Sequence, residues 1–414
     1  MGKQRISFVL KTTAAACYLL LAAVVYRMFL RQAIRYPGRL GAYDTDLRVH
    51  IQEGRAGTGY SLMERCYALL LDTLGQNEKA IGIFLALVMT ATVYLTYRLL
   101  RMLAGDCRRE FLHLLAFVPV FAMPLYLGSV NPYRYLGLQS GAIWHNTTYI
   151  GMRAAAMALL LFYFPFQERY RKHVSATDFV IFTVLLVFVN MMKPNFIMCF
   201  APAMACMLLA DCITDRGRTL KQQILSGIPV LLSLCTLLYQ MVYLFPEGER
   251  PEGGAAFGFS VAYILKLRTW HPVASLLQSA AFPLVVLIYN FRDLKKDRRS
   301  RMTWLIWVVG LLEYLFIHEE GARKDHGNLS WGYSFCIFLV FVVSIGWLCR
   351  NIQELWREYR SSEASSFWGW IRSAGRKWKL EAAYLLVSVV LLVWHLACGM
   401  EFFLYMLQGG TYIR

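Results

Sequence analysis

The sequence predicts an all-α, polytopic membrane protein with about eleven transmembrane helices and amphipathic helices in its first external loop. Three observations carry that reading. Of 414 residues, 57% are hydrophobic and only 17% are charged, too few to keep the surface of a soluble chain wet. The apolar residues gather in segments of roughly 18 to 25, the length a helix needs to cross a bilayer. The period-two alternation of a membrane barrel is absent, and only helices or closed barrels satisfy every backbone polar group in lipid.

In chain order the expected spans are 8–30, 79–100, 111–130, 149–166, 177–194, 196–211, 224–245, 272–291, 303–318, 331–349 and 381–405. The first follows Lys3 and Arg5, as a signal peptide would, but its run is long and lacks a small-residue cleavage site, so it reads as retained. Alternate connections (98–109, 169–172, 216–221, 292–301 and 350–379) are basic. The rule that positive loops stay inside puts these and the N-terminus in the cytoplasm, and leaves Arg414 outside. The formal net charge of +17 is then a matter of topology, and no nucleic-acid motif accompanies it. The ten cysteines show no metal-ligand spacing; Cys17, Cys199, Cys206, Cys235 and Cys336 fall in spans and Cys66 in an outer loop. With no repeat and no soluble segment large enough to fold alone, 1–414 reads as one integral-membrane domain.

The loop 31–78 is external by parity yet carries Arg31, Arg35, Arg39, Arg48 and Arg55. Either these meet anionic lipid headgroups or the loop is long enough to escape the charge rule. Within it, Leu62, Cys66, Leu69, Leu70 and Leu74 recur at helical spacing, with Glu64, Arg65 and Asp72 off that face. This reads as an amphipathic helix at the membrane surface, set off by Gly54, Gly57 and Gly59. The segment 351–380, with Trp356, Phe367, Trp368, Trp370 and Trp378 among basic residues, reads as an interfacial helix on the cytoplasmic face.

Candidate chemistry sits in the outer loops. Tyr43-Asp44-Thr45-Asp46-Leu47-Arg48-Val49-His50 holds two carboxylates that repel each other unless a cation shares the site. Such a pair can take a proton from a hydroxyl or ligate a divalent metal; an Asp there can equally cap the following helix. In the stretch 318–328, Arg323 and Lys324 suit a phosphate, while Glu319, Glu320 and His326 suit sugar hydroxyls or a metal; a wet connector has the same composition. Between Asn131 and Thr148, Arg134, His145 and Asn146 lie among aromatic rings that suit a sugar face, or simply an interfacial belt. Asn146-Thr147-Thr148 is also a glycosylation sequon. Lys193, beside Pro194, either snorkels or holds a lipid phosphate. The Gly-rich loop 246–271, with Glu247, Glu249, Glu252, Trp270 and His271, is expected to act as a movable lid, and Glu313 to face the protein interior.

A first span, a long outer loop with an acidic pair near its start and amphipathic helices, and then many spans: this pattern resembles the GT-C superfamily of integral-membrane glycosyltransferases. Protein O-mannosyltransferases, bacterial aminoarabinose transferases and oligosaccharyltransferase catalytic subunits belong to it. The likeness covers roughly the first 100 residues in pattern and the rest in span count and sidedness. It implies an Asp in the first outer loop as general base or acceptor-positioning group, which maps onto Asp44 or Asp46. It also implies a polyprenyl-phosphate-linked sugar donor and a glycan or lipid acceptor, with a divalent metal as the one cofactor the acidic pair could hold. The large soluble C-terminal domain of some members is missing. A transporter or flippase of polyprenyl-linked glycans, or a glycan polymerase, are the competing expectations. Transporters place ionisable residues at midplane and show paired repeats, whereas this chain keeps them mostly in outer loops.

Overall fold

In lipid a chain must close its own backbone hydrogen bonds, so apolar runs become helices. The computed structural model describes residues 2–34, 45–135, 138–244 and 257–412. Its helices are, in order, α1 (Gly2–Ile34), α2 (Leu47–Ala56), α3 (Leu62–Thr73), α4 (Glu78–Leu103), α5 (Arg109–Leu115) and α6 (Val118–Phe121). Next come α7 (Thr147–Arg169), α8 (Ala176–Met192), α9 (Asn195–Asp215), α10 (Leu220–Leu244), α11 (Tyr263–Arg268) and α12 (Pro272–Tyr289). The last are α13 (Phe291–Leu294), α14 (Arg298–Phe316), α15 (Ser330–Ser361), α16 (Phe367–Ser373) and α17 (Arg376–Leu407). Two three-residue strands, β1 (Phe257–Phe259) and β2 (Ile317–Glu319), pair antiparallel.

Among the described residues, eight helices are long and apolar enough to cross a membrane: α1, α4, α7, α9, α10, α12, α15 and α17. They mark a multi-pass integral membrane protein. Phe8, Leu19, Leu209, Ile213, Leu238 and Leu386 all point outward and exposed, as side chains meeting lipid do. Helix α15 is the axis of the bundle, and every residue of its most apolar window is buried. Small residues allow that close approach. A Cβ on Gly332 would stand 2.8 Å from Cys199 Sγ, and one on Gly346 2.7 Å from Leu103 Cβ.

The expected span 111–130 is not one helix. Helices α5 and α6 cover its first part, and the chain then runs extended through Ala122 and Met123. Pro124 lacks the N–H a helix would need and pushes Met123 out of helical geometry. Residues 122–125 are buried, so their backbone groups need partners within the protein. They find them in α12 and α17. Met123 N–H donates to His395 O (3.1 Å), and Leu125 N–H to Gln278 O (3.0 Å). In a regular helix Gln278 O would accept from Phe282 N–H, four residues on. Helix α12 is kinked at Ala280, and Phe282 N–H turns instead to Nε2 of His395 at 3.4 Å. With Nε2 accepting, Nδ1 of His395 carries the proton and donates to Met123 O at 2.6 Å.

The interfacial segment expected at 351–380 is also divided. Helix α15 continues unbroken to Ser361, and only α16 is a separate short helix. Trp370 packs against Tyr359, Phe367 and Trp378, while Trp368 stays exposed. Between α1 and α4 the helix expected near 61–74 is α3, and α2 precedes it, ended by Gly57 in the left-handed region at φ 71°. All ten cysteines are free.

Gly399 of α17 faces the extended segment, and a Cβ there would lie 1.6 Å from Phe121 O. Gly399→Ala should therefore lower stability by about 1–3 kcal/mol through overpacking. Thermal unfolding in detergent reads this, and an unchanged midpoint would mean the segment yields freely.

Candidate functional site

The bundle brings the C-terminal ends of α1, α8, α14 and α17 and the N-terminal ends of α7, α9, α12 and α15 to one end. Arg31 of α1 donates to the carbonyls of Met406 and Leu407, and Asn195 of α9 donates to Asn328 O (2.8 Å). At the opposite end Asp211 receives Arg171, Arg298 and Tyr170, and Arg350 meets Asp297 at 3.0 Å. The first end holds a cavity of about 720 Å³.

Its floor is the start of α7. Asn146 caps that helix by accepting from Tyr149 N–H (2.9 Å), and its Nδ2 donates to Asp46 Oδ2 at 2.9 Å. The Asp46 N–H donates to His145 O at 3.0 Å, so two distant loops are locked side by side. Asp46 stands at the start of α2 but does not cap it; Thr45 Oγ1 accepts from Leu47 N–H instead (3.1 Å). The carboxylate is thereby left to Asn146 and the cavity.

Lys193, in the tight turn between α8 and α9, is buried against the same floor. Its Nζ donates to Tyr60 OH (3.2 Å) and Thr148 Oγ1 (3.0 Å), and lies over the rings of Tyr60 and Trp331. No carboxylate pairs with it among the described residues. Two of three ammonium protons are thus occupied by neutral groups, and Asp46 shares the cavity without bonding to the ammonium.

His145 is wholly buried, stacked on Tyr412 (4.0 Å between centroids) and edge-on to Tyr135 (5.0 Å). Its Nδ1 has no hydrogen-bond partner. Burial pulls its pKa down to about 4; the charge of Asp46 opposes this and that of Lys193 reinforces it. The ring is neutral at neutral pH.

The α2–α3 hairpin forms a second wall. His50 Nδ1 lies 2.8 Å from Glu64 Oε1 and 3.3 Å from Glu53 Oε2. Burial by itself would depress the His50 pKa, but the bonds to Glu53 and Glu64 outweigh it and carry it up to about 10. The same bond from His50 holds Glu53 below the usual carboxylate range. Ligand atoms of the three residues lie within 4.8 Å of one another, close enough to share a metal ion.

Opposite stands the segment 318–328, tied to 257–271 through the β1–β2 pair. Arg323 meets Glu319 (3.3 Å), and Arg268 donates to Asp325 O (3.0 Å). The cavity therefore gathers Asp46, His50, His145, Asn146, Lys193, Arg323 and His326. The other expected residues lie elsewhere. Glu319 sits behind Arg323 and accepts from Asn328 Nδ2 (2.7 Å). Glu320 and Lys324 pair at 3.3 Å away from the cavity, with Lys324 over Tyr263. Arg134 pairs with Glu401 and lines a separate cleft. Asp44 lies outside the described residues, as do Tyr43, Arg35, Arg39, Glu247, Glu249, Glu252 and Arg414. Trp270 is exposed and His271 opens α12, neither on the cavity wall.

Glu53, Tyr60, Arg268, Trp331 and Tyr412 line the cavity without having been expected to. The one local signal was the i,i+3 spacing of His50 and Glu53. Glu64 was legible only as a polar residue on an amphipathic helix. No protein-family model matches this chain, and no curated protein matches it either.

Because His145 binds a proton more weakly folded (about 4) than unfolded (ordinarily 6.5), stability present above 6.5 is lost as pH falls toward about 4. Replacing it by Asn should remove up to about 3 kcal/mol of that acid-side loss. Unfolding midpoints of wild type and His145→Asn, compared at pH values spanning this window, should draw together as the pH falls. Parallel curves would show that the ring titrates normally.

Proposed function

We propose that this chain is a membrane glycosyltransferase that moves a sugar from a polyprenyl-phosphate donor to a hydroxyl acceptor. The observation that supports the reading is the presence, in one cavity, of the Asp46 carboxylate and the buried Lys193 ammonium, which makes no ion pair among the described residues. A buried cation without a counter-ion is costly, and an anionic ligand relieves the cost. Phosphate fits, with Arg323 also on the wall. The rings of Trp331 and Tyr135 offer faces on which a sugar stacks.

In this mechanism Asp46 takes the proton of the acceptor hydroxyl as its oxygen attacks C1. The bond from C1 to the phosphate oxygen breaks, its electron pair leaves with polyprenyl phosphate, and the anomeric centre inverts. Lys193 and Arg323 offset the charge that grows on the leaving group. His50, His145, Asn146 and His326 complete the substrate-facing set. We assign eleven crossings: the eight apolar helices, α8, α14 and the broken segment from α5 to Asn131. The end bearing Arg298, Arg299 and Arg350 is taken as cytoplasmic, so the cavity opens on the extracytoplasmic face. A donor there is lipid-linked, since nucleotide sugars are cytoplasmic.

Asp46→Asn keeps the bond from Asn146 and should leave stability near wild type while lowering product formation about 10²–10⁴-fold. The assay uses purified protein in detergent, polyprenyl-phosphate sugars and a panel of acceptors, and reads released polyprenyl phosphate. Full activity in the variant sinks the role of Asp46. Lipid binding without turnover in the wild type across that panel favours the transporter instead.

Lys193→Met should weaken donor binding by about 1.5–3 kcal/mol, the worth of a hydrogen bond to a charged group. Its thermal stability should equal or exceed wild type, because an unpaired buried charge has been removed. A large stability loss with unchanged donor affinity would make Lys193 a structural residue.

A further inference from the structure

We infer that His50, Glu53 and Glu64 form a binding site for one divalent transition-metal ion of the zinc or manganese class. The hairpin is built to present three ligands to one point. Helix α2 places His50 and Glu53 on one face, a turn apart. Helix α3 begins with a capping box in which Glu64 Oε2 accepts from Ser61 N–H at 2.7 Å, which aims Oε1 at His50. Two glycines let the hairpin close around that carboxylate. A Cβ on Gly59 would stand 2.2 Å from Glu64 Oε2, and one on Gly54 2.2 Å from Glu64 O.

The separations from His50 Nδ1, 2.8 and 3.3 Å, suit ligands about 2.0–2.2 Å from a shared ion. Two carboxylates face one imidazole here, one of them fully buried. A divalent ion would neutralise both carboxylates at once. A second observation points the same way. His50 is 8% exposed, and its Nε2 has no hydrogen-bond partner. With Nε2 unbonded, the polar contacts of the ring run through Nδ1, the nitrogen that faces both carboxylates. An ion bound at Nδ1 would take the place of a proton there.

One nitrogen and two carboxylate oxygens suit zinc or manganese better than calcium or copper(I). Three protein ligands leave a coordination position open, and His50 and Glu53 both line the cavity. The ion would pin α2 to α3 and so hold Asp46, the residue that precedes α2. This inference does not rest on sugar transfer: a metal-binding protein without turnover keeps it and defeats the transferase, and the reverse result does the opposite.

The test uses the full chain, purified in detergent, stripped with chelator and titrated calorimetrically with Zn²⁺ and Mn²⁺, with Co²⁺ as an absorbing probe. We expect one ion per chain and a thermal midpoint raised by Zn²⁺. Glu53→Gln, partly exposed and outside the packed core, should fold and lose more affinity than the about 10–100-fold that losing an outer-shell partner costs. His50→Asn should abolish the Co²⁺ spectrum. If His50→Asn does not fold, Glu53→Gln decides. Absence of binding at micromolar metal, or wild-type affinity in Glu53→Gln, overturns the site.

Discussion

Everything at the cavity depends on one backbone problem being solved at depth in the bundle. The chain abandons helical geometry at Ala122, where buried N–H and C=O groups cannot turn to water. The solution is an exchange of partners. Gln278 O gives up its helical donor to accept from Leu125, and His395 takes both the displaced Phe282 N–H and the Met123 carbonyl. Gly399 supplies the room. This extended segment delivers Asn131 to Ser275, Gln278 and Thr269, and so anchors the loop that ends at His145 and Asn146.

The cavity is polar in an uneven way. On the opposite end of the bundle, arginines are matched by carboxylates: Arg298 by Asp211, Arg299 by Glu168, Arg350 by Asp297. At the cavity, Glu319 and Arg323 are matched too, but the Lys193 ammonium is held by hydroxyls and aromatic faces. Paired charges are a structural solution, whereas a cation solvated only by neutral dipoles keeps its field available to a ligand. Asp46 is the counterpart, a carboxylate released from capping because Thr45 does that work. Asn146 joins the two halves, capping α7 with its oxygen and holding Asp46 with its nitrogen.

Local signals located much of this. Asp46 is recognisable as half of an acidic pair, and His145, Asn146 and Lys193 as polar residues beside a span end, and they do converge on one cavity. Arg134 and Lys324 were recognisable by the same criterion and do not, because Glu401 and Glu320 lie closer to hand. Glu401 is far along the chain from Arg134, and although Glu320 stands only four residues from Lys324, Glu319 stands as close to Arg323, which does line the cavity. Glu64 escaped notice for the opposite reason: it fits an amphipathic helix so well that its turn toward His50 leaves no local mark.

What the sequence determined by itself was the helical membrane class, the positions of nearly all long helices and the amphipathic helix α3. Those follow from apolar length and period, which act within a few turns of chain. Only the tertiary structure decided that 111–130 breaks, that α15 runs past its apolar part to Ser361, and which charged groups are paired. Each of these depends on a partner supplied by another helix. Pro124 permits an extended strand, but only the freed carbonyl of α12 and the histidine of α17 make it stable in a place without water.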